Sequence, residues 1–327
     1  MPDVTMPAAR ATALKTIRCD EIATPKPERG KVLLKTKLAS ICGSDLHIVY
    51  MGWNAHEFPL AHGYPGHEGV GEVVDGTDTE FQPGDKVLTV PSIWESKTFA
   101  GYQSLAPRYL LKLPDDTPLA HSLMAQQLGT VVFSCLRLPS LLGQTVAIIG
   151  QGSVGLFHDF MLRKLGVRRI IALEPVKERR VAGQRMGVND AIDVTGDRAT
   201  QAVLDLTDGR GADVVIEAVG SVDTLNQAMK LAKPFGRVVA FGLPPTMERV
   251  PFDWDTFFRR RLLLNSVFGA QDEEGLPAFR LALDYIANKE IDVAPFVTHQ
   301  FPIGKVQEAF DLASSKQQGA LKVSLTF

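Results

Sequence analysis

The sequence predicts an α/β protein of two domains, one β-rich and irregular, the other a doubly wound parallel sheet. Three observations lead there. At 327 residues the chain is too long for one ordinary core. From about Thr145, short β-branched runs alternate with helical stretches. Before about residue 135, short apolar runs are instead broken by Gly and Pro clusters.

In chain order, KVLLKTKLASI, GVGEVV, DKVLTV and YLLKL read as strands of a largely antiparallel or barrel-like domain. Six apolar runs follow: TVAIIG at 145–150, RIIAL at 169–173, AIDV at 191–194, ADVVIEAVG at 212–220, RVVAFGL at 237–243 and LLLNSVFG at 262–269. Helices are expected between them, at 153–166, 177–187, near 198–207 and at 222–232. Continuous apolar runs suit strands buried on both faces of a parallel sheet. From about Glu274 the alternation stops. An amphipathic helix with Leu276, Phe279, Leu283 and Ile286 leads to an extended stretch at 293–301, a helix near 304–314 and a closing strand, LKVSLTF. The chain is therefore expected to return to its first domain, giving a discontinuous unit of 1–136 plus 272–327 around a nucleotide domain of 137–271.

Composition narrows the function. With 45% hydrophobic and 22% charged residues and a formal charge of -2, the chain has no electrostatic footprint for nucleic acid or an anionic membrane. Arg259-Arg260-Arg261 reads as a solvated strand entrance. The first ten residues lack the apolar core of a signal peptide, and no run of 18 apolar residues exists, so a cytoplasmic location is the expectation. Cys19, Cys42 and Cys135 are an odd, widely spaced set, which offers neither a disulfide framework nor a four-cysteine zinc cluster.

Two constellations carry chemistry. Cys42-Gly43-Ser44-Asp45-Leu46-His47, followed by Gly66-His67-Glu68, gathers thiolate, imidazole and carboxylate, the donors of a zinc site. Taken singly, Cys42 reads as a small buried hydrophobe and His67 as a core histidine; taken together they point to metal ligation. Gly150-Gln151-Gly152-Ser153-Val154-Gly155 follows a strand and opens a helix, and Glu174 ends the next strand. Gly150 serves a tight turn, Gly152 the approach of a pyrophosphate and Gly155 close helix packing, with the helix N-terminus stabilising negative charge. Glu174 would accept both adenosine ribose hydroxyls and repel a 2′-phosphate, which favours NAD. Arg179 and Arg180 keep NADP open.

CGSD, GYPGHEGVGEVV, PGDKV, TFAGYQSLAPRYLLKLPD and GQGSVG, in this order, resemble the zinc-dependent medium-chain alcohol and polyol dehydrogenases over nearly the whole chain. The resemblance implies a GroES-like catalytic domain and a Rossmann domain. It further implies Cys42 and His67 as zinc ligands, Asp45 as the carboxylate that orients the histidine, and Glu68 as an acid that exchanges with water on the metal. Ser44 matches the hydroxyl that contacts the substrate oxygen, and His47 the imidazole that passes the proton to solvent. Thr130 matches a residue against the nicotinamide, and Val219, Gly242, Val267 and Phe268 fall in turns that line its pocket. A homodimer or homotetramer is implied as well, with the strand from Leu262 pairing across subunits.

The chain departs from this pattern twice. Gln126 stands where many members carry a Cys, Glu or Asp third ligand; its neutral amide is a weaker donor, which Glu68 would offset by binding directly. The four-cysteine insertion is missing between Val90-Pro91-Ser92 and Thr98-Phe99, so one catalytic zinc and no structural zinc are expected. The substrate is expected to be a secondary alcohol, polyol or sugar hydroxyl, bordered by the loop from Ile48 to His56, which includes Tyr50, Trp53 and Asn54, and by Ile93-Trp94-Glu95. A zinc-free NADPH-dependent quinone or enone reductase, and a non-catalytic nucleotide-binding sensor, are the alternatives.

Overall fold

The computed structural model describes residues 5–53, 55, 57–244, 246, 248–315 and 319–327. Asn54 and His56 lie outside the described residues. Contacts divide the chain into two compact units, 1–130 with 269–327, and 131–268.

The first segment holds β1 (Thr5–Ala13), β2 (Thr16–Ala23), β3 (Val32–Ser40), α1 (Gly43–Met51), β4 (Glu68–Asp75), β5 (Lys86–Thr89), β6 (Tyr102–Leu105), β7 (Leu110–Lys112) and α2 (Leu119–Leu136). The first two strands form an antiparallel hairpin. The second unit carries β8 (Thr145–Ile149), α3 (Ser153–Lys164), β9 (Arg169–Leu173), α4 (Lys177–Arg185), β10 (Asp190–Ile192), α5 (Gly196–Leu206), β11 (Ala212–Glu217), α6 (Val222–Leu231), β12 (Ala232–Ala240), α7 (Trp254–Arg260) and β13 (Leu263–Ser266). The chain then adds α8 (Pro277–Ala287), β14 (Val297–Pro302), α9 (Val306–Ser315) and β15 (Lys322–Thr326).

In the first unit the strand order is β14-β15-β3-β4-β5-β7, with β6 also paired to β3. All of these pairings are antiparallel except β14 with β15. The closing strand thus joins β3 by main-chain register, Ser324 opposite Ser40. Val32, Leu34, Val73, Val87, Leu105 and Leu110 alternate inward from these strands and bury a shared core with Phe81. Ring packing adds α9 to this unit, with Phe99 edge-on to Phe310 at 5.6 Å.

The second unit is a six-stranded parallel sheet of order β10-β9-β8-β11-β12-β13. Val146 and Ile148 of β8 enter the core on one face, Ala147 and Ile149 the core on the other. That two-sided burial is why the strand reads as an unbroken apolar run.

The arginine triplet is not a strand entrance. Arg259 and Arg260 form the last turn of α7, and Arg261 caps it in the left-handed region at φ 54. The helix forms because the Asp253 side chain accepts from Thr256 N at 3.0 Å, and the cations sit where the helix dipole is negative.

Candidate active site

The Cys42 segment is a helix N-terminus. Cys42 is the N-cap of α1, its carbonyl accepting from the Asp45 N–H at 3.1 Å while its own N–H donates to Asp45 Oδ2 at 2.8 Å. This reciprocal cap fixes the backbone at the thiol. Asp45 is wholly buried, and its other oxygen, Oδ1, lies 3.1 Å from His67 Nδ1. One carboxylate therefore sets both the Cys42 backbone and the imidazole ring. His67 Nδ1 is also 3.2 Å from Pro65 O, so Nε2 is the nitrogen left to bind a metal, 3.5 Å from Ser44 Oγ. Burial pulls the His67 pKa down, but the charge and hydrogen bond of Asp45, with Cys42, outweigh it and hold the imidazole well above its usual range.

Glu68 starts β4 directly after His67, and the donor atoms of Cys42, His67 and Glu68 all lie within 4.8 Å of one another. The space is tight around them: a methyl at Gly66 would overlap the Phe99 ring, and one at Gly69 the Thr98 side chain. Glu68 is 1% exposed. Its Oε2 accepts from Ser40 Oγ and pairs with Lys322 Nζ, whereas Oε1 has no hydrogen-bond partner among the described residues. Burial alone would raise the Glu68 pKa, yet Lys322 and His67 bring it below the usual carboxylate value. A buried, charged carboxylate with one unused oxygen beside a thiol and an imidazole is a donor set suited to zinc.

Lys322 and Ser40 escaped the sequence reading. Lys322 is 2% exposed and also donates to Ile41 O at 3.3 Å. A lysine at the start of a closing strand whose residues are otherwise uncharged was the available signal.

Ser44 and His47, three residues apart on α1, share one side of the helix, and both are half-buried. The His47 carbonyl accepts from Trp53 N at 3.0 Å. Gln126 and Thr130 lie one turn apart on α2, with Thr130 Oγ1 donating to Gln126 O at 3.3 Å. Gln126 is 7% exposed.

In the second unit the predicted cofactor residues gather at the carboxyl ends of the strands. Gly150 leaves β8 at φ 97, Gly152 is the N-cap of α3, and Ser153, Val154 and Gly155 form its first turn. A methyl at Gly155 would overlap the Gly150 carbonyl oxygen, whereas one at Gly152 would meet nothing within 4 Å. The turn is thus closed on the helix side and open where a phosphate approaches. Glu174 follows β9, its Oε2 accepting from Gln151 N at 2.8 Å and its Oε1 from Val176 N at 3.0 Å. Arg180 donates to the Glu174 and Pro175 carbonyls, each at 2.8 Å, while Arg179 is half-buried on α4. Val219 follows β11, Gly242 follows β12, and Val267 and Phe268 follow β13. Strand ends at a switch in strand order are where such sheets bind dinucleotides.

Family models match a stretch of each unit. Residues 28–114 match the model of the alcohol dehydrogenase GroES-like domain, and residues 153–288 that of the zinc-binding dehydrogenases. L-threonine 3-dehydrogenase of Pyrococcus furiosus is 28% identical over 330 residues, covering 91% of this chain and 92% of that protein. Among solved structures, alcohol dehydrogenase TADH of Thermus sp. ATN1 superposes with a TM-score of 0.86 at 24% identity, over 98% of this chain and 100% of that one. A zinc-binding dehydrogenase of Sinorhizobium meliloti 1021, bound to NADP, gives 0.82 at 22% identity over 99% and 100%. These family matches and relatives make the chain an NAD(P)-dependent oxidoreductase that works on a hydroxyl. The chain belongs to the zinc-type medium-chain dehydrogenases.

Proposed function

We propose that the chain interconverts a secondary alcohol, polyol or sugar hydroxyl and its carbonyl, using NAD and one catalytic zinc held by Cys42, His67 and Gln126 with Glu68. The observation that carries the reading is the convergence of the Cys42, His67 and Glu68 donor atoms within 4.8 Å. Bound zinc would supply a Lewis acid that lowers the pKa of the substrate hydroxyl. Asp45 holds the His67 ring by Nδ1 and leaves Nε2 for a metal, and Lys322 with Ser40 holds Glu68 by one oxygen and leaves the other available as a ligand. Ser44 binds the substrate oxygen and takes up its proton, and His47 passes that proton on to solvent. A bound nicotinamide cofactor would supply the hydride acceptor, and Thr130 would be a residue that lies against it.

Glu174 supports NAD over NADP, because its carboxylate would accept from the ribose hydroxyls with its remaining lone pairs and repel a 2′-phosphate, while Arg180 Nη1 is turned to two backbone carbonyls. The absence of a four-cysteine set in a chain of three cysteines supports a single catalytic zinc without a structural one. For the substrate, Trp53 and Trp94 stack at 6.0 Å with planes 22° apart. Both belong to segments tied to the site, through Trp53 N to His47 O and Ser96 Oγ to Pro65 O. The outer face of Trp94, exposed while Trp53 is buried behind it, suits the C–H side of a polyol or sugar. The relative named for L-threonine is consistent with the class, since that hydroxyl is secondary. A homodimer or homotetramer assembled through β13 is part of this reading, as is a cytoplasmic location; no helix among the described residues is long and apolar enough to cross a membrane.

The test is turnover of the zinc-reconstituted protein on a panel of polyols, sugars and secondary alcohols with NAD and with NADP. NAD-dependent oxidation of at least one panel member is expected. Reduction of quinones or enones with NADPH, and no alcohol oxidation, would overturn the proposal.

A further inference from the structure

The helix that follows the dinucleotide turn buries polar groups where packing alone calls for apolar ones. His158 and Asp159 of α3 and Gln151 of the turn are each 0% exposed. Gln151 is built into the cofactor turn on three sides. Its N–H donates to Glu174 Oε2 at 2.8 Å, its Nε2 reaches Gly150 O at 3.5 Å, and its Oε1 sits where a methyl at Gly183 of α4 would overlap it. The same Nε2 is 3.5 Å from Asp159 Oδ1. Two oxygens remain without a partner among the described residues, Gln151 Oε1 and Asp159 Oδ2.

Both orphaned oxygens belong to the two side chains already joined by the Nε2–Oδ1 contact, one on the amide and one on the carboxyl. If Asp159 carries a proton on Oδ2, it donates to Gln151 Oε1 while the amide N–H donates to Oδ1, and neither oxygen is left over. An orphaned buried oxygen is costly, so a ring that satisfies both at once is strongly favoured. We propose that Asp159 and Gln151 form a reciprocal acid–amide pair that positions the dinucleotide turn, which makes both of them positioning residues for cofactor binding. The surroundings agree: burial pushes the Asp159 carboxyl well above its usual range against the weaker pull of Gln151 and Arg163. Nor does the adjacent imidazole offer a cation, since burial lowers His158 to about 4 and its Nδ1–H donates to Val154 O at 2.9 Å. The pair holds the Gly150 carbonyl and the backbone amide on which Glu174 rests.

This inference rests on the dinucleotide reading of the turn, and the experiment separates the two. NAD is titrated calorimetrically into wild-type protein, Asp159→Asn and Asp159→Leu, each checked for fold by circular dichroism. Asp159→Asn keeps a reciprocal amide–amide pair and should rescue affinity to within about twofold, whereas a folded Asp159→Leu should bind about tenfold more weakly, as expected for an unsatisfied buried amide. An infrared difference spectrum between wild type and Asp159→Asn at pH 7 should show a carboxylic-acid C=O band belonging to Asp159, and this decides the matter if Asp159→Leu does not fold. Wild-type affinity in a folded Asp159→Leu, or no such band, would overturn the pair alone. Wild-type protein that binds neither NAD nor NADP would overturn the dinucleotide reading and this inference with it.

Discussion

Asp45 shows how much one side chain decides at this site. With one oxygen on the Cys42 N–H and the other 3.1 Å from His67, it couples two candidate ligands that lie 25 positions apart in sequence. The convergence of the Cys42, His67 and Glu68 donors was legible because thiol, imidazole and carboxylate in one short region beside a cofactor-type turn point to a common site. Lys322 was not legible, since its partner Glu68 is more than 250 positions away and only the pairing of β15 with β3 brings them together. Removing it leaves Glu68 buried without its cation. Lys322→Met should therefore cost about 3–5 kcal/mol of folding stability, as breaking a buried ion pair does. Urea denaturation checks this, and a midpoint equal to the wild type would refute the buried pairing.

At the scale of the element, the strand–turn–helix of β8 and α3 was readable because Gly150 and Gly155 answer local constraints that no other residue meets. Gly155 has no room for a methyl, while Gly152 has room that only a ligand would fill. Gly152→Ala should thus leave the melting temperature unchanged and weaken NAD binding by about tenfold or more, because the anion must approach that backbone closely. A calorimetric titration with unaltered affinity would show that phosphates do not bind there. The helix α7 was missed for a physical reason too. Seven residues carry too little periodicity to announce a helix, and it is the Asp253 cap that starts it. The helix α1 was hidden in the same way, by a cap made from the very residues read as chemistry.

For the whole molecule, the alternation of strands and helices predicted the parallel sheet, because burial on both faces writes itself into composition. The antiparallel unit was legible only as a class: its strand order depends on β15 returning from the far end of the chain, which no local pattern encodes. Stability of the parallel sheet has a pH-dependent part. Burial alone would raise the Asp213 pKa, but Lys233 at 2.5 Å and the Thr145 N–H at 2.7 Å outweigh it and lower it. A depressed folded pKa stabilises above the unfolded value and is lost as pH falls through the folded one. Asp213→Asn should then be less stable by about 1 kcal/mol at pH 7, discounted for solvent screening, with the gap closing below the carboxylate range. Melting curves at several pH values check this, and a gap that widens in acid would contradict it. Assembly belongs to this scale as well. β13 ends the sheet with Leu263 52% and Leu264 40% exposed, an edge that a second copy would cover. Sedimentation at micromolar concentration should give at least a dimer, and a monomer would refute the contact.

The central claim is a metal site built on Cys42 and His67. Elemental analysis of the purified protein, beside its Cys42→Ala and His67→Ala variants, tests it most directly. About one zinc per chain is predicted for the wild type, with the metal lost from both variants while the fold is kept. A wild-type chain that holds no zinc even after reconstitution, or variants that retain it, would contradict the account.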